Sequence, residues 1–477
     1  MLQLNWANAT EQAVGWRHGL TPADLDAVGP RVEQAHQVVL EQCRQGKLGY
    51  WRLPTREDYK ASVLRLVGKH KGRTSDLVVL GIGGSALGNI ALHNALKPAT
   101  YNLLDDRRRK GPRLFVLDNV DPALVAGTLS LLGGRLKTTL VNVISKSGET
   151  AETAAQFMVV RELLRRKLGK GFAERIVATT DLQKGTLHDI ALQDGYDMLE
   201  VPGDVGGRFS VLSPVGLFSA AMCGINIGRL LGGAAAMAGR IEAPGPWRAN
   251  PACVLAAVKY VMMTAKGKPI HVMMPYSNRL YSLADWYRQL WAESLGKARN
   301  RAGQEVFVGP TPVKALGATD QHSQVQLYRE GPNDKLMVFL EAAKHPADVT
   351  IPKAFQDVGG LGYLGGHKLS ELLAAEKTAT EYALARSRRP SVSIRFDAID
   401  AASVGAFILF YEYVTSLMGE LLDINAYDQP AVELGKQATF ALLGRPGEYT
   451  EAGITRKYEE LAAEIRQFAQ PDPQYVL

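Results

Sequence analysis

The chain has 477 residues, 46% of them apolar and 22% charged, which is enough for a large core and excludes a disordered or low-complexity protein. Its net charge of +7 suits a protein whose ligands are anions. The tightest basic clusters, at 107–110 and 165–167, lie beside Gly and Leu without interleaved aromatics, so they read as solvated surface and no nucleic-acid partner is expected. Three widely spaced cysteines, Cys43, Cys223 and Cys253, give neither a zinc pattern nor a disulfide framework. With no signal-peptide pattern at the start, a cytoplasmic location is expected. The uncharged run 209–228 has about the length of a membrane span, but Ser210, Ser213, Pro214 and Asn226 make it a buried helix, and no membrane partner is expected.

In chain order, residues 1–70 read as helices, with segments opened by Pro22 and Pro54 and acidic residues in their first turns. From Asp76 the pattern changes. Short apolar runs at 77–80, 113–117, 139–144 and 175–179 alternate with helical stretches, which predicts a parallel sheet in an α/β domain. The Pro/Gly-rich stretch 243–251 marks a domain boundary. Beyond it come strands at 268–275, 336–340 and 392–395 and helices at 283–295, 369–386 and 401–422, with helices again from about 427. The partition is an N-terminal helical extension (1–70), a first α/β domain (71–243), a second (244–424) and a C-terminal helical segment (425–477).

The stretch Ser145-Lys146-Ser147-Gly148-Glu149-Thr150 joins a strand to a helix N-terminus. Unpaired N–H groups, three hydroxyls and an ammonium at such a place suit a compact dianion such as a phosphate monoester. Alternatively Ser147 merely caps the helix and Thr150 is an ordinary first-turn residue. The loop Gly81-Ile-Gly-Gly-Ser-Ala-Leu-Gly88 follows another strand. Gly81, Gly83 and Ala86 meet only the looser dinucleotide fingerprint, and Asp118 is too distant for its acid. The glycines, Gly83 among them, are better read as allowing close backbone approach, with Ser85 near a sugar phosphate.

Further along, Gly206-Gly207-Arg208 offers a fixed positive charge after a turn, where negative charge could develop in a reaction, or else a solvated loop arginine. Gln289 and Glu293 are four apart on one helix face beside Trp286 and Leu290. A partly desolvated carboxylate there would serve as a base, unless the helix is simply amphipathic with Glu293 at its wet border. His322 lies among hydrogen-bonding neighbours, and no metal-ligand spacing occurs among the nine histidines, so no metal is expected. Lys436, taken alone, is a surface charge.

Six stretches taken together resemble the glucose-6-phosphate isomerase (phosphoglucose isomerase) family. They are 81–88, 145–150, Gly206-Gly-Arg-Phe-Ser210, Gln289-Leu-Trp-Ala-Glu-Ser294, Asp320-Gln-His-Ser-Gln324 and Asp428-Gln-Pro-Ala-Val-Glu-Leu-Gly-Lys436, in the family's order. The resemblance implies two sugar-isomerase (SIS) α/β domains, parallel-sheet sandwiches with N- and C-terminal helical extensions. It implies interconversion of glucose 6-phosphate and fructose 6-phosphate through a cis-enediolate, without a cofactor. Ser85, Ser145, Lys146, Ser147 and Thr150 would hold the phosphate, with Gln289 nearby. Glu293 would be the base, Gly207 and Arg208 the stabilisers of the intermediate, and His322 and Lys436 the ring-opening groups, with Gln429 lining the site. A homodimer is implied, with His322 contributed across its interface. Ala431 departs from the family, which usually has glycine there. Two alternatives are a glucose/mannose-6-phosphate isomerase and a non-catalytic SIS-domain sensor, although a sensor has no need of Glu293, Arg208, His322 and Lys436 together.

Overall fold

The computed structural model describes residues 2–451 and 453–470. Met1–Ala426 form one compact unit and Tyr427–Leu477 another. The strands of the first unit are β1 (Leu2–Asn5), β2 (Asp76–Leu80), β3 (Arg113–Leu117), β4 (Thr139–Ile144), β5 (Ile176–Thr180), β6 (Asp197–Glu200), β7 (Ile270–Pro275), β8 (Lys297–Arg299), β9 (Glu305–Val308), β10 (Thr311–Lys314), β11 (Lys335–Ala342) and β12 (Ser391–Phe396). They form two five-stranded sheets, β3-β2-β4-β5-β6 and β1-β12-β11-β7-β10, while β8 and β9 make a small antiparallel ribbon.

The two large sheets share one topology. Numbered within its own module, each runs 2-1-3-4 with all four strands parallel, as β3-β2-β4-β5 and as β10-β7-β11-β12. Beyond the fourth strand the first sheet adds β6 in parallel, whereas the second adds β1 antiparallel. β2 and β4 are buried along their whole length, as expected where helices cover both faces and a strand reads as a continuous apolar run. The helix Ala151–Leu168 contributes Phe157, Val160 and Leu164 to the core that Val78, Leu80, Val141 and Val143 build from the first sheet. The second sheet has its own core around Val272, Met274, Met337 and Phe339. The modules meet where helix Tyr281–Leu295 of the second packs on helix Leu87–Leu96 of the first.

Several strands are not legible as such in the sequence. The elements described in residues 2–70 are helices apart from an isolated Thr10–Leu20 bridge and β1, a four-residue strand whose partner β12 lies at the far end of the unit, so no local pattern announces it. β10 carries Pro312, which an edge strand tolerates because its missing N–H faces no neighbour. The second unit adds a hairpin, β13 (Glu448–Glu451) with β14 (Ile454–Lys457), to helices Glu433–Leu442 and Tyr458–Phe468, around a small core including Ala441, Tyr449 and Leu461.

Helix Pro214–Met222 is buried throughout, in keeping with the reading of 209–228 as core. Helix Ala401–Leu421 is long and apolar enough to cross a membrane, yet 89% of its most apolar window is buried inside the protein. It is the core helix against which helices Ile227–Glu242, Pro251–Thr264 and Pro22–Arg44 pack. The three cysteines are buried and unpaired.

Candidate active site

In an open parallel sheet, ligands bind beyond the carboxyl ends of the strands, at the point where the strand order reverses. In the first sheet that point lies between β2 and β4. The chain leaving β2 is the 81–88 loop, and the chain leaving β4 is the 145–150 turn. Two stretches far apart in sequence are thereby brought side by side by topology.

The 145–150 turn is held open by its own hydrogen bonds. Gly148 N–H donates to Ser145 Oγ at 3.0 Å, and Ser145 Oγ lies 3.4 Å from Thr150 Oγ1. Gly148 has φ +80°, and a Cβ there would stand 2.3 Å from Leu187 N, so only glycine fits. Thr150 is the N-cap of helix Ala151–Leu168 but makes no side-chain cap bond, and Ser147 Oγ accepts from Glu149 N–H (3.2 Å), which precedes that helix. The alternative in which Ser147 caps the helix is therefore not what the chain does. The first-turn N–H groups keep the positive end of the helix dipole facing outward. Lys146 is exposed, and its ammonium donates to the carbonyl of Gly203 at 2.7 Å.

The 81–88 loop lies backbone to backbone with the turn that carries Arg208. A Cβ on Gly84 would stand 2.2 Å from the carbonyl carbon of Gly207 and 2.7 Å from Arg208 N. Gly83 faces Gln289, whose Nε2 would be 3.0 Å from a Cβ at that position. Ser85 is half-buried, and its carbonyl accepts from Asn89 Nδ2 at 2.9 Å.

Arg208 is no solvated loop residue. It is 2% exposed in the short helical turn Gly207–Phe209. Its Nε donates to Ser294 Oγ at 2.7 Å, its Nη2 to the carbonyl of Ala426 at 2.8 Å and its Nη1 to Glu293 Oε1 at 2.9 Å. Glu293 is half-buried, and its other oxygen accepts from Gln289 Nε2 at 3.0 Å. On the same helix Trp286, Leu290, Trp291 and Ser294 are buried, so Gln289 and Glu293 stand on the one face open to a ligand. Lys297 closes the helix by donating to the carbonyls of Glu293 (3.0 Å) and Ser294 (2.9 Å). Sequence reasoning named the arginine and the carboxylate but missed Ser294 and the carbonyl of Ala426. Ser294, directly after Glu293, carries a weak signal as a small polar residue between the carboxylate and the apolar Leu295, whereas a backbone carbonyl carries none.

His322 ends the turn Thr319–Gln321 after β10; it is exposed, and its ring has no partner among the described residues. In the second unit Lys436 is exposed and paired with Glu433 at 2.7 Å, and Gln429 is half-buried, preceding the turn Pro430–Val432. Among the described residues, no group of three or more His, Cys, Asp or Glu is arranged to hold a metal ion.

Two sheets with the same 2-1-3-4 parallel order, an anion-receptive turn at one reversal point, and a pair formed by Glu293 of helix Tyr281–Leu295 with Arg208 of the turn Gly207–Phe209 are the features of a protein of the SIS-type α/β fold. The chain belongs to the phosphoglucose isomerase family, whose model matches residues 60–451. It is 48% identical over 429 residues to the glucose-6-phosphate isomerase of Carboxydothermus hydrogenoformans, covering 90% of this chain and 92% of that one. Among solved structures, a hypothetical protein from Thermus thermophilus superposes with a TM-score of 0.81 at 36% identity, over 93% of this chain and 100% of the other. A glucose-6-phosphate isomerase from Chlamydia trachomatis superposes with a TM-score of 0.79 over 98% of this chain and 91% of that one, a likeness of fold at 23% identity.

Proposed function

We infer that this chain is an aldose–ketose isomerase that interconverts glucose 6-phosphate and fructose 6-phosphate, the glycolytic and gluconeogenic step. The observation that carries the reading is the buried Arg208 guanidinium held 2.9 Å from the Glu293 carboxylate, in a chain of this family. Neither mannose 6-phosphate breadth nor a sensor role is favoured by the similarity to the Carboxydothermus enzyme. The test is a coupled assay from fructose 6-phosphate, with glucose-6-phosphate dehydrogenase and NADP and with or without EDTA. Rapid NADPH formation unaffected by EDTA supports the reading, and silence from folded protein removes it.

Ser85, Ser145, Lys146, Ser147 and Thr150, with the glycines of the 81–88 loop, would bind the phosphate, and Gln289 would sit between that group and the base. Once the sugar ring is open, Glu293 takes the proton from C2 of the aldose, and the electron pair moves to give a double bond between C1 and C2 with negative charge on O1. Arg208 and the Gly207 N–H stabilise that enediolate. The O2 hydroxyl proton passes to O1, and return of the proton from Glu293 to C1 as the C2 carbonyl forms yields the ketose, so atoms and electrons balance within the sugar and no redox cofactor is called for. His322 and Lys436 would open the ring by moving a proton between the ring oxygen and the O1 hydroxyl, with Gln429 alongside. The domain partition follows from the same reading, with the first α/β domain (71–243) supplying the phosphate loops, the second (244–424) the base, and 425–477 completing the site.

Lys146→Ala is expected to raise KM by about tenfold to hundredfold, the worth of a charge-assisted hydrogen bond to phosphate, and to lower kcat less. An unchanged KM would take Lys146 out of phosphate binding. We place the enzyme in the cytoplasm, a reading favoured by its unpaired cysteines, and as a homodimer with His322 acting in the partner's site. An exposed His322 whose ring has no partner among the described residues suits that role. Mixed dimers of Glu293→Gln and His322→Ala subunits should then recover activity that neither variant has alone, because one site in each mixed dimer regains both groups. No recovery after verified subunit exchange would put His322 in its own subunit's site.

A further inference from the structure

The Arg208–Glu293 contact poses a problem for the reaction just described, and the solution lies in the neighbouring side chain. An arginine paired with the base at rest must present the same N–H to a developing oxyanion without losing its place. That requires anchors on the rest of the guanidinium that do not take part in the exchange. Arg208 has two. Its Nε donates to Ser294 Oγ at 2.7 Å, and its Nη2 donates to the carbonyl of Ala426 at 2.8 Å. Ser294 is 0% exposed and Arg208 2% exposed, so water does not compete for either bond.

Ser294 follows Glu293 in the last turn of helix Tyr281–Leu295, and Lys297 Nζ fixes that turn through both of their carbonyls, at 3.0 and 2.9 Å. One short piece of backbone therefore sets the position of the base and the angle of the guanidinium together. We propose that Ser294 is a positioning residue for isomerisation: it holds the plane of Arg208 through Nε so that Nη1 can pass from Glu293 to the enediolate oxygen while the bonds to Ser294 and to the Ala426 carbonyl persist. The inference rests on the isomerase reading of this site. No proton changes hands in this step, since the arginine stays charged and only the acceptor of one N–H is exchanged.

The test compares Ser294→Ala, Ser294→Thr and Ser294→Cys with the native enzyme in kcat, KM and affinity for two probes. One probe is inorganic phosphate, which reports the 145–150 turn. The other is a five-carbon aldonic acid phosphate, whose planar carboxylate mimics the enediolate. For Ser294→Ala, kcat is expected to fall by about tenfold to hundredfold, as for a small misplacement of a catalytic group. The aldonate should weaken by a similar factor, while KM and phosphate affinity stay within about twofold of native, a small part of one decade in affinity. Ser294→Thr, which keeps the acceptor oxygen, should recover most of both losses, and Ser294→Cys, a weaker acceptor, a part of them should threonine fail to fold.

The proposal falls if Ser294→Ala keeps native kcat and aldonate affinity. It falls equally if phosphate and aldonate binding are lost together, which marks general damage to the fold. Arg208→Lys in the same assays separates the two levels of the argument. Native kcat in that variant overturns the reading of the site itself, whereas a large loss there beside a native Ser294→Ala overturns only the role of the serine.

Discussion

Replacing Glu293 with Gln is expected to lower kcat by about 10²- to 10⁴-fold, the usual worth of a general base, with KM changed little. The structure makes this an unusually clean substitution. The Gln side chain keeps the carboxylate's shape, and its carbonyl oxygen can still accept from Arg208 Nη1, now 2.9 Å from Glu293 Oε1. Its amide N–H₂ would stand where Glu293 Oε2 accepts from Gln289 Nε2 at 3.0 Å. A rotation of the Gln289 amide turns its Oε1, which is buried without a hydrogen-bond partner, toward that new donor. The packing of helix Tyr281–Leu295 is left alone, and what disappears is the lone pair that takes the C2 proton. Two measurements check it: steady-state rates in both directions, and exchange of the C2 proton of glucose 6-phosphate with deuterated solvent, which should stop with the turnover. A variant that isomerises and exchanges at native rates would remove Glu293 from the role of base.

The parts of the site most legible in the sequence are those carried by local pattern. An apolar run such as Leu77-Val-Val-Leu80, buried along its length, predicts a covered parallel strand, and the glycines or hydroxyls that follow it predict an open turn. The 81–88 and 145–150 stretches could be read that way, and β2 and β4 carry them to the sheet's reversal point. The four-residue spacing of Gln289 and Glu293 likewise placed both on one helical face. What periodicity could not tell is which distant groups meet. That Arg208 is buried depends on Ser294 and on the carbonyl of Ala426, residues from the end of one helix and the end of the first compact unit. β1 is not legible for the same reason, since a four-residue strand is stabilised by pairing with β12 and not by its own composition.

The shared 2-1-3-4 strand order makes the two modules topological twins, but the chemistry does not use them in the same way. The first module contributes loops at the carboxyl ends of β2 and β4, where helix N-termini and open backbone favour an anionic group. The second contributes Glu293 from the last turn of the helix that leaves β7, after that helix has run back toward the amino ends of its strands. Packing helix Tyr281–Leu295 on helix Leu87–Leu96 brings these unlike ends to one place. Gly83 facing Gln289, and Gly84 lying against Gly207, are the points of closest approach. There the Glu293 carboxylate is paired with Arg208, which is carried on the turn that touches the glycine loop.

Arg208→Lys tests that paired charge, and it should be nearly as damaging as loss of the base. A lysine ammonium keeps the charge but is a single point with three donors on a flexible stem, and it cannot reach Ser294 Oγ, the Ala426 carbonyl and Glu293 Oε1 in the planar fork that arginine uses. Loss of one donor to an oxyanion costs about 10²- to 10³-fold in kcat, and a fall of that size is expected here. KM should change by much less, because the phosphate turn at 145–150 is untouched. Stability should fall as well, by about 1–3 kcal/mol for each buried acceptor left without its N–H, read as a lower urea midpoint. The two effects separate under ligand: saturating inorganic phosphate should restore part of the lost stability by mass action but none of the lost kcat. If instead kcat returned to the native value once the variant was fully folded, Arg208 would be a structural clasp for the end of the helix, and the negative charge of the intermediate would have to be met by the Gly207 N–H and the substrate's other contacts.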